Sequence, residues 1–136
     1  MRSDDSAKAF LADADIIVSE TAISLERGHY HRVMRKCQEA AELSVKGLFK
    51  YAGIEYPKSH ILGRVMKKEF TNSGLFKQEE LEEMAHISDT LSLDREASFY
   101  GAPDGTPASE LYDKEDAADA INKTLRLINK IKKAIK

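Results

Sequence analysis

A chain of 136 residues, 42% of them hydrophobic and 32% charged, holds enough sequence for one globular domain spanning residues 1–136. Its formal net charge of -2 excludes an overall basic field for nucleic acid, so any such contact must come from a local patch. Cys37 is the only cysteine, which excludes an internal disulfide and a multi-cysteine zinc site, and no apolar run approaches the ~20 residues of a membrane span.

The opening MRSDDSAKAF lacks the basic-then-apolar order of a signal peptide, so a cytoplasmic protein is expected. A first helix is predicted from Asp5 or Ser6 to Arg27, with Ser6 as N-cap and Phe10, Leu11, Ala14, Ile17, Val18, Ala22 and Leu25 as its apolar stripe. A tight turn at Gly28 then makes the next helix its antiparallel neighbour.

That next helix, Gly28 to Gly53, is the central element. Tyr30, Val33, Met34, Cys37, Ala40, Ala41, Ser44, Leu48 and Ala52 recur at three- and four-residue steps, the spacing of one helix face. Arg32, Arg35, Lys36, Glu39, Glu42, Lys46 and Lys50 fall largely opposite. Gln38, Glu42 and Lys46 form a polar line at four-residue steps, which reads as an intrahelical ladder or as a face toward a dimer groove or an anionic ligand. Arg32, Arg35 and Lys36 form the first basic patch suited to phosphate.

Beyond Gly53, Pro57 pushes Tyr56 toward extended backbone and Ser59 can cap a short helix through Phe70, burying Ile61, Leu62, Val65, Met66 and Phe70. Thr71 to Gly74 reads as a turn. Leu75 to Tyr100 is helical again, with Leu81, Met84, Ala85, Ile87, Ser88, Leu91 and Ala97 inward and four glutamates in its early turns, where they suit the helix dipole. Gly101 to Ser109, with two prolines and two glycines, is a loop. A last helix from Asp113 to Ile135 buries Ala117, Ala120, Ile121, Thr124, Leu125, Ile128, Ile131 and Ile135. It opens on acids and closes on Lys130, Lys132, Lys133 and Lys136, which reads as dipole complement and solvated surface. No strand pattern or internal repeat intervenes. The expected fold is all-α, an up-and-down antiparallel bundle of about five helices, four main and one short.

Metal and catalytic motifs are incomplete. Glu83-x-x-His86 places a carboxylate and an imidazole on one helix face, but di-metal bundles need a second such step and two further glutamates from facing helices. His29 and His31 lie near a turn without ligands at zinc spacing. No metal or other cofactor is expected, and no nucleophile-elbow or phosphate-loop motif occurs.

The ordered series Gly28-His-Tyr30, Arg35, Gln38-Glu-Ala-Ala-Glu42, Lys46-Gly-Leu-Phe, Ala52-Gly53, Pro57 and His60-Ile-Leu62 resembles the front half of a HEPN domain. Leu93-Asp-Arg95-Glu-Ala97-Ser-Phe-Tyr100-Gly101 is similar to the end of that family's penultimate helix. The resemblance implies a helical bundle, often dimeric. It also implies either a metal-independent ribonuclease of toxin-antitoxin and defence systems or a nucleotide- or partner-binding module paired with a small nucleotidyltransferase. The ribonuclease branch carries an Arg followed four to six residues later by His. Here Arg95 is followed by Glu-Ala-Ser-Phe-Tyr-Gly, so the histidine is missing. A tyrosine with pKa near ~10 moves protons poorly near neutral pH, whereas Tyr100 can stack on a base or donate to phosphate.

The resulting expectation is a homodimeric, non-catalytic nucleotide- or RNA-binding module with Arg95, Tyr100, Arg32, Arg35 and Lys36 as contacts. The alternatives are a ribonuclease joining Arg95 to His29, His31 or His86, and a structural dimer with no small ligand.

Overall fold

The computed structural model describes residues 3–135, and among these every regular element is helical. In chain order they are α1 (Ser3–Ser19), α2 (Thr21–Glu26), α3 (Tyr30–Ala52), α4 (Gly63–Phe70), α5 (Gln78–Leu93), α6 (Arg95–Tyr100), a 3-10 turn over Ala108–Glu110, and α7 (Lys114–Ala134). They compose the expected five rods, two of them bent.

Both bends have side-chain causes. Between α1 and α2, the Ser19 and Thr21 hydroxyls donate to the carbonyls of Ile16 and Val18, each at 2.6 Å, competing with the helical ladder. Between α5 and α6, Asp94 sits at φ -89 and ψ 0, with its carboxylate held by a Tyr112 hydroxyl 3.1 Å away. The turn at Gly28 (φ 75) and the left-handed cap at Gly53 (φ 70) use the backbone freedom that the sequence assigned to them.

Helix α4 starts later than expected. The Ser59 hydroxyl is spent on a local turn, accepting from the Ile61 amide at 3.0 Å. The α4 N-terminus is capped instead across the fold, where Asp89 Oδ1 accepts from the Gly63 amide at 2.8 Å. A Cβ at Gly63 would overlap that carboxylate. Ile61, expected inside, is exposed because it lies in this turn. At α7 the cap is reciprocal: Asp113 accepts from the Asp116 amide (2.8 Å) while Asp116 accepts from the Asp113 amide (3.0 Å).

Helix α3 is the hub, packing against α1, α2, α5, α6 and α7. Because it is covered from several sides, Val45, Gly47 and Phe49 are buried with the anticipated stripe, whereas Ala52 at its end is exposed. An ideal Cβ on Gly47 would lie 3.3 Å from the Ala7 carbonyl, and Lys36 pairs with Glu20 at 3.0 Å, so α1 and α3 run antiparallel. Lys130 on Glu80 (3.5 Å) and Arg126 on Glu83 fix α5 and α7 likewise. Phe49, Phe70 and Phe76 close one end of the core, the first two stacked at 5.4 Å and the last edge-on at 6.3 Å. On α7, Leu127 is buried and Leu125 is 38% exposed, reversing the expected assignment: Thr124, Leu127, Ile128 and Ile131 share one face, and Leu125 is turned off it.

Candidate functional site

The sequence-nominated residues separate into two groups. Arg35 rises from the first turns of α3 to the end of α6, where its Nε donates to the Ser98 carbonyl (2.6 Å) and its Nη2 to the Phe99 carbonyl (2.9 Å). Its guanidinium carbon lies 4.4 Å from the Phe99 ring centroid. Burial first, and then the neighbouring Arg32, hold its pKa below the ordinary arginine value. This arginine satisfies carbonyls that the short helix leaves open. Lys36 is engaged by Glu20, and Arg32 is exposed beside them. Among the described residues, the expected patch Arg32, Arg35, Lys36 thus has one free cation of three.

Arg95, at the first position of α6, is exposed, and its side chain makes no hydrogen bond or ion pair among the described residues. It lines an open groove of about 410 Å³ with Ser59, His60, Ile61, Ser92, Leu93 and Glu96. Tyr100 is 82% exposed and lines an adjoining groove of about 460 Å³ with Leu93, Glu96, Ala97, Gly101, Ala102 and Pro103. Five residues of helix turn the two side chains about 140° apart. They occupy neighbouring grooves that share Leu93 and Glu96.

The groove on Arg95 also contains His60, from the His60-Ile-Leu62 step. His60 Nδ1 lies 2.5 Å from Glu42 Oε1. A carboxylate only accepts, so Nδ1 carries the proton and Nε2 is left as the ring's other functional edge. Three contacts fix this segment: Glu42 holds the imidazole, Ser92 donates its hydroxyl to the His60 carbonyl, and Asp89 caps Gly63. Glu42 also pairs with Lys46 at 3.7 Å, so the expected ladder exists. Its other member, Gln38, is only 5% exposed, and its Nε2 has no hydrogen-bond partner among the described residues. The signal for His60 was the line Gln38, Glu42, Lys46, but the pair spans 18 residues and depends on how the intervening loop folds back.

The histidines named for a ribonuclease, His29, His31 and His86, do not line the groove on Arg95. Glu83, the carboxylate of the Glu-x-x-His step, pairs with Arg126. Among the described residues no group of three or more His, Cys, Asp or Glu is arranged to hold a metal. Cys37 is buried, and that burial pushes its thiol up to about 11, so it is no nucleophile near neutral pH. No described helix is long and apolar enough to cross a membrane.

Among the described residues the chain is a strandless helical bundle that carries an exposed guanidinium at the head of a bent penultimate helix. The family model of the HEPN domain matches residues 7–134, and the chain belongs to that family. No curated protein and no solved structure gives a match. HEPN domains have nucleotide- and RNA-related roles and often dimerise.

Proposed function

We propose that this HEPN domain is a non-catalytic module that takes a nucleotide or an RNA end in the groove on Arg95. The observation that carries the reading is the guanidinium itself, exposed and without a protein acceptor among the described residues. Its planar fork suits two phosphate oxygens. The His60 ring stands in the same groove, and the exposed Tyr100 ring offers a stacking surface for a base next door.

A homodimer fits the surroundings of α6. Leu93 (75% exposed), Phe99 and Tyr100 leave an exposed apolar patch there that a second copy could cover while the Arg95 guanidinium stays open to ligand. A protein partner such as a small nucleotidyltransferase belongs to the same reading. Calorimetric titration of the purified protein with ATP, other nucleotides and short RNA tests it. Saturable binding that Arg95→Ala weakens at least tenfold supports the reading. No saturable binding by the protein, alone or with the product of its neighbouring gene, ends it.

A specific observation favours a second reading, a metal-independent ribonuclease. His60, held by Glu42, shares the groove with Arg95, an imidazole for proton transfer beside a cation for the phosphate. RNA cleavage lost in both Arg95→Ala and His60→Ala would establish this reading over simple binding.

A further inference from the structure

Cations on this protein are treated in two ways. On α7, Lys123, Arg126, Lys130 and Lys132 each pair with an acid, as do Lys36 and Lys46 on α3. Between Lys46 and Lys68 the chain carries Lys46, Lys50, Lys58, Arg64, Lys67 and Lys68 against the single acid Glu55. Among the described residues, the last five of those cations make no ion pair, and all five are exposed. A chain with net charge -2 has no general surplus of positive charge to account for this.

The fold gathers Lys50 and Lys58 and sets the α4 cations nearby. After α3 ends, the chain doubles back along it: Tyr56 lies under Lys46, with Nζ 4.9 Å from the ring centroid, and His60 meets Glu42. Helix α4 then returns toward the end of α3, where Phe70 stacks on Phe49. Helix α4 packs mainly on α5 and reaches α3 through its last residue, while Lys50, Tyr56 and Lys58 share a groove of about 430 Å³ with Gly53, Ile54 and Glu55. Dipole complementarity accounts for Lys50, Lys67 and Lys68, each in the last turn of its helix. It does not account for Lys58 in the loop, and it disfavours Arg64 in the first turn of α4.

We infer that the Lys46–Lys68 segment is a second contact surface for single-stranded RNA, continuing the strand seated at Arg95 past His60 and Lys46 to the groove of Lys50, Tyr56 and Lys58. The inference rests on the nucleotide or RNA reading above and makes the ligand a strand rather than a mononucleotide. Unpaired cations interleaved with an aromatic ring match a sugar–phosphate backbone with unstacked bases. From Glu42, which holds His60, to Lys50 is about 12 Å of helix rise, more than one step between successive phosphates of an unstacked single strand.

The test is fluorescence anisotropy of the full chain with labelled oligouridylates of 4 and 12 nucleotides, and with a labelled ATP, across a salt series. The expected result is tighter binding of the 12-mer than of the 4-mer. Lys50→Glu/Lys58→Glu should weaken the 12-mer at least tenfold and flatten its salt slope by about 1.4, while leaving ATP within twofold. Lys67→Glu/Lys68→Glu, on a separate element, should weaken the 12-mer several-fold, and circular dichroism checks that both variants fold. A 12-mer that binds both variants like the parent overturns the inference even if Arg95→Ala abolishes ATP binding. A 12-mer sensitive to Lys50→Glu/Lys58→Glu with no ATP binding overturns the Arg95 reading and leaves this surface standing. Equal loss for an acidic peptide and the 12-mer would mean a general polyanion surface and overturn the RNA assignment.

Discussion

Arg35 and Arg95 look alike in the sequence, two arginines of helical motifs that resemble the same family, and the fold gives them opposite work. Arg35 is bound by two carbonyls and an aromatic ring at the end of α6, whereas Arg95, at the other end of that helix, has nothing to bind among the described residues. The first arginine holds the helix and the second is held out by it. An arginine is therefore weighed as a ligand contact by what its five donors already reach, and sequence spacing does not reveal that.

The largest expected effect separates the two directly. Arg35→Ala removes two charge-assisted hydrogen bonds and the stacking on Phe99, and should cost about 2 kcal/mol, lowering Tm by roughly 5–10 °C. Arg95→Ala should stay within about 0.5 kcal/mol of the parent by denaturant titration while losing nucleotide affinity. Equal destabilisation by both variants would erase the contrast.

Next in size is Gly63→Ala, which touches neither arginine. The new methyl must displace the Asp89 carboxylate that caps α4, at a cost of about 1–2 kcal/mol in chemical denaturation. It should also weaken binding in the Arg95 groove, because the wall carrying Ser59, His60 and Ile61 is anchored there.

Tyr112→Phe tests the element that the two arginines share. Burial, followed by the negative charge of Asp94, raises the Tyr112 pKa, so the phenol stays protonated and donates to Asp94 at the bend before α6. Its loss should cost about 1 kcal/mol in a urea melt and loosen both ends of the helix together. An unchanged α6 in hydrogen exchange would show that the bend holds itself.

The smallest effect is a pH dependence at the Arg35 end. His31 is held below the ordinary 6.5 by burial first, and then by the positive charges of Arg35, Arg32 and His29. The unfolded chain takes up this proton more readily than the folded one, so the neutral ring's contribution is intact above pH 6.5 and is lost as pH falls through the lowered folded value. Melting curves between pH 7.5 and 5 should show a small acid-side loss of Tm that His31→Gln removes. His31→Gln matching the parent at every pH would assign the loss to other groups.

Much of the architecture was legible in the residues. The 3.6-residue pattern of α3, the glycines that flank it and the acid-first, base-last order of α7 each report a local preference, and local preferences survive folding when no neighbour opposes them. The misplacements are tertiary in origin. Ser59 did not cap α4 because Asp89, 26 residues from Gly63, reaches its amide first. Gln38, spaced with Glu42 and Lys46 as a polar line, lies buried on an α3 that other helices surround.

The sequence by itself determined the family, the helices and the greasy faces that bring them together, because periodicity and turn chemistry act over a few residues. Only the tertiary structure decided which cations are neutralised: Lys36, Lys46 and the α7 lysines and arginine at positions 123–132 met acids, whereas Arg95 and the Lys50–Lys68 cations met none among the described residues. The physical reason is that a charge's partner is set by distance through space, and the chain brings Glu42 to His60 and Ser98 to Arg35 only after it has folded.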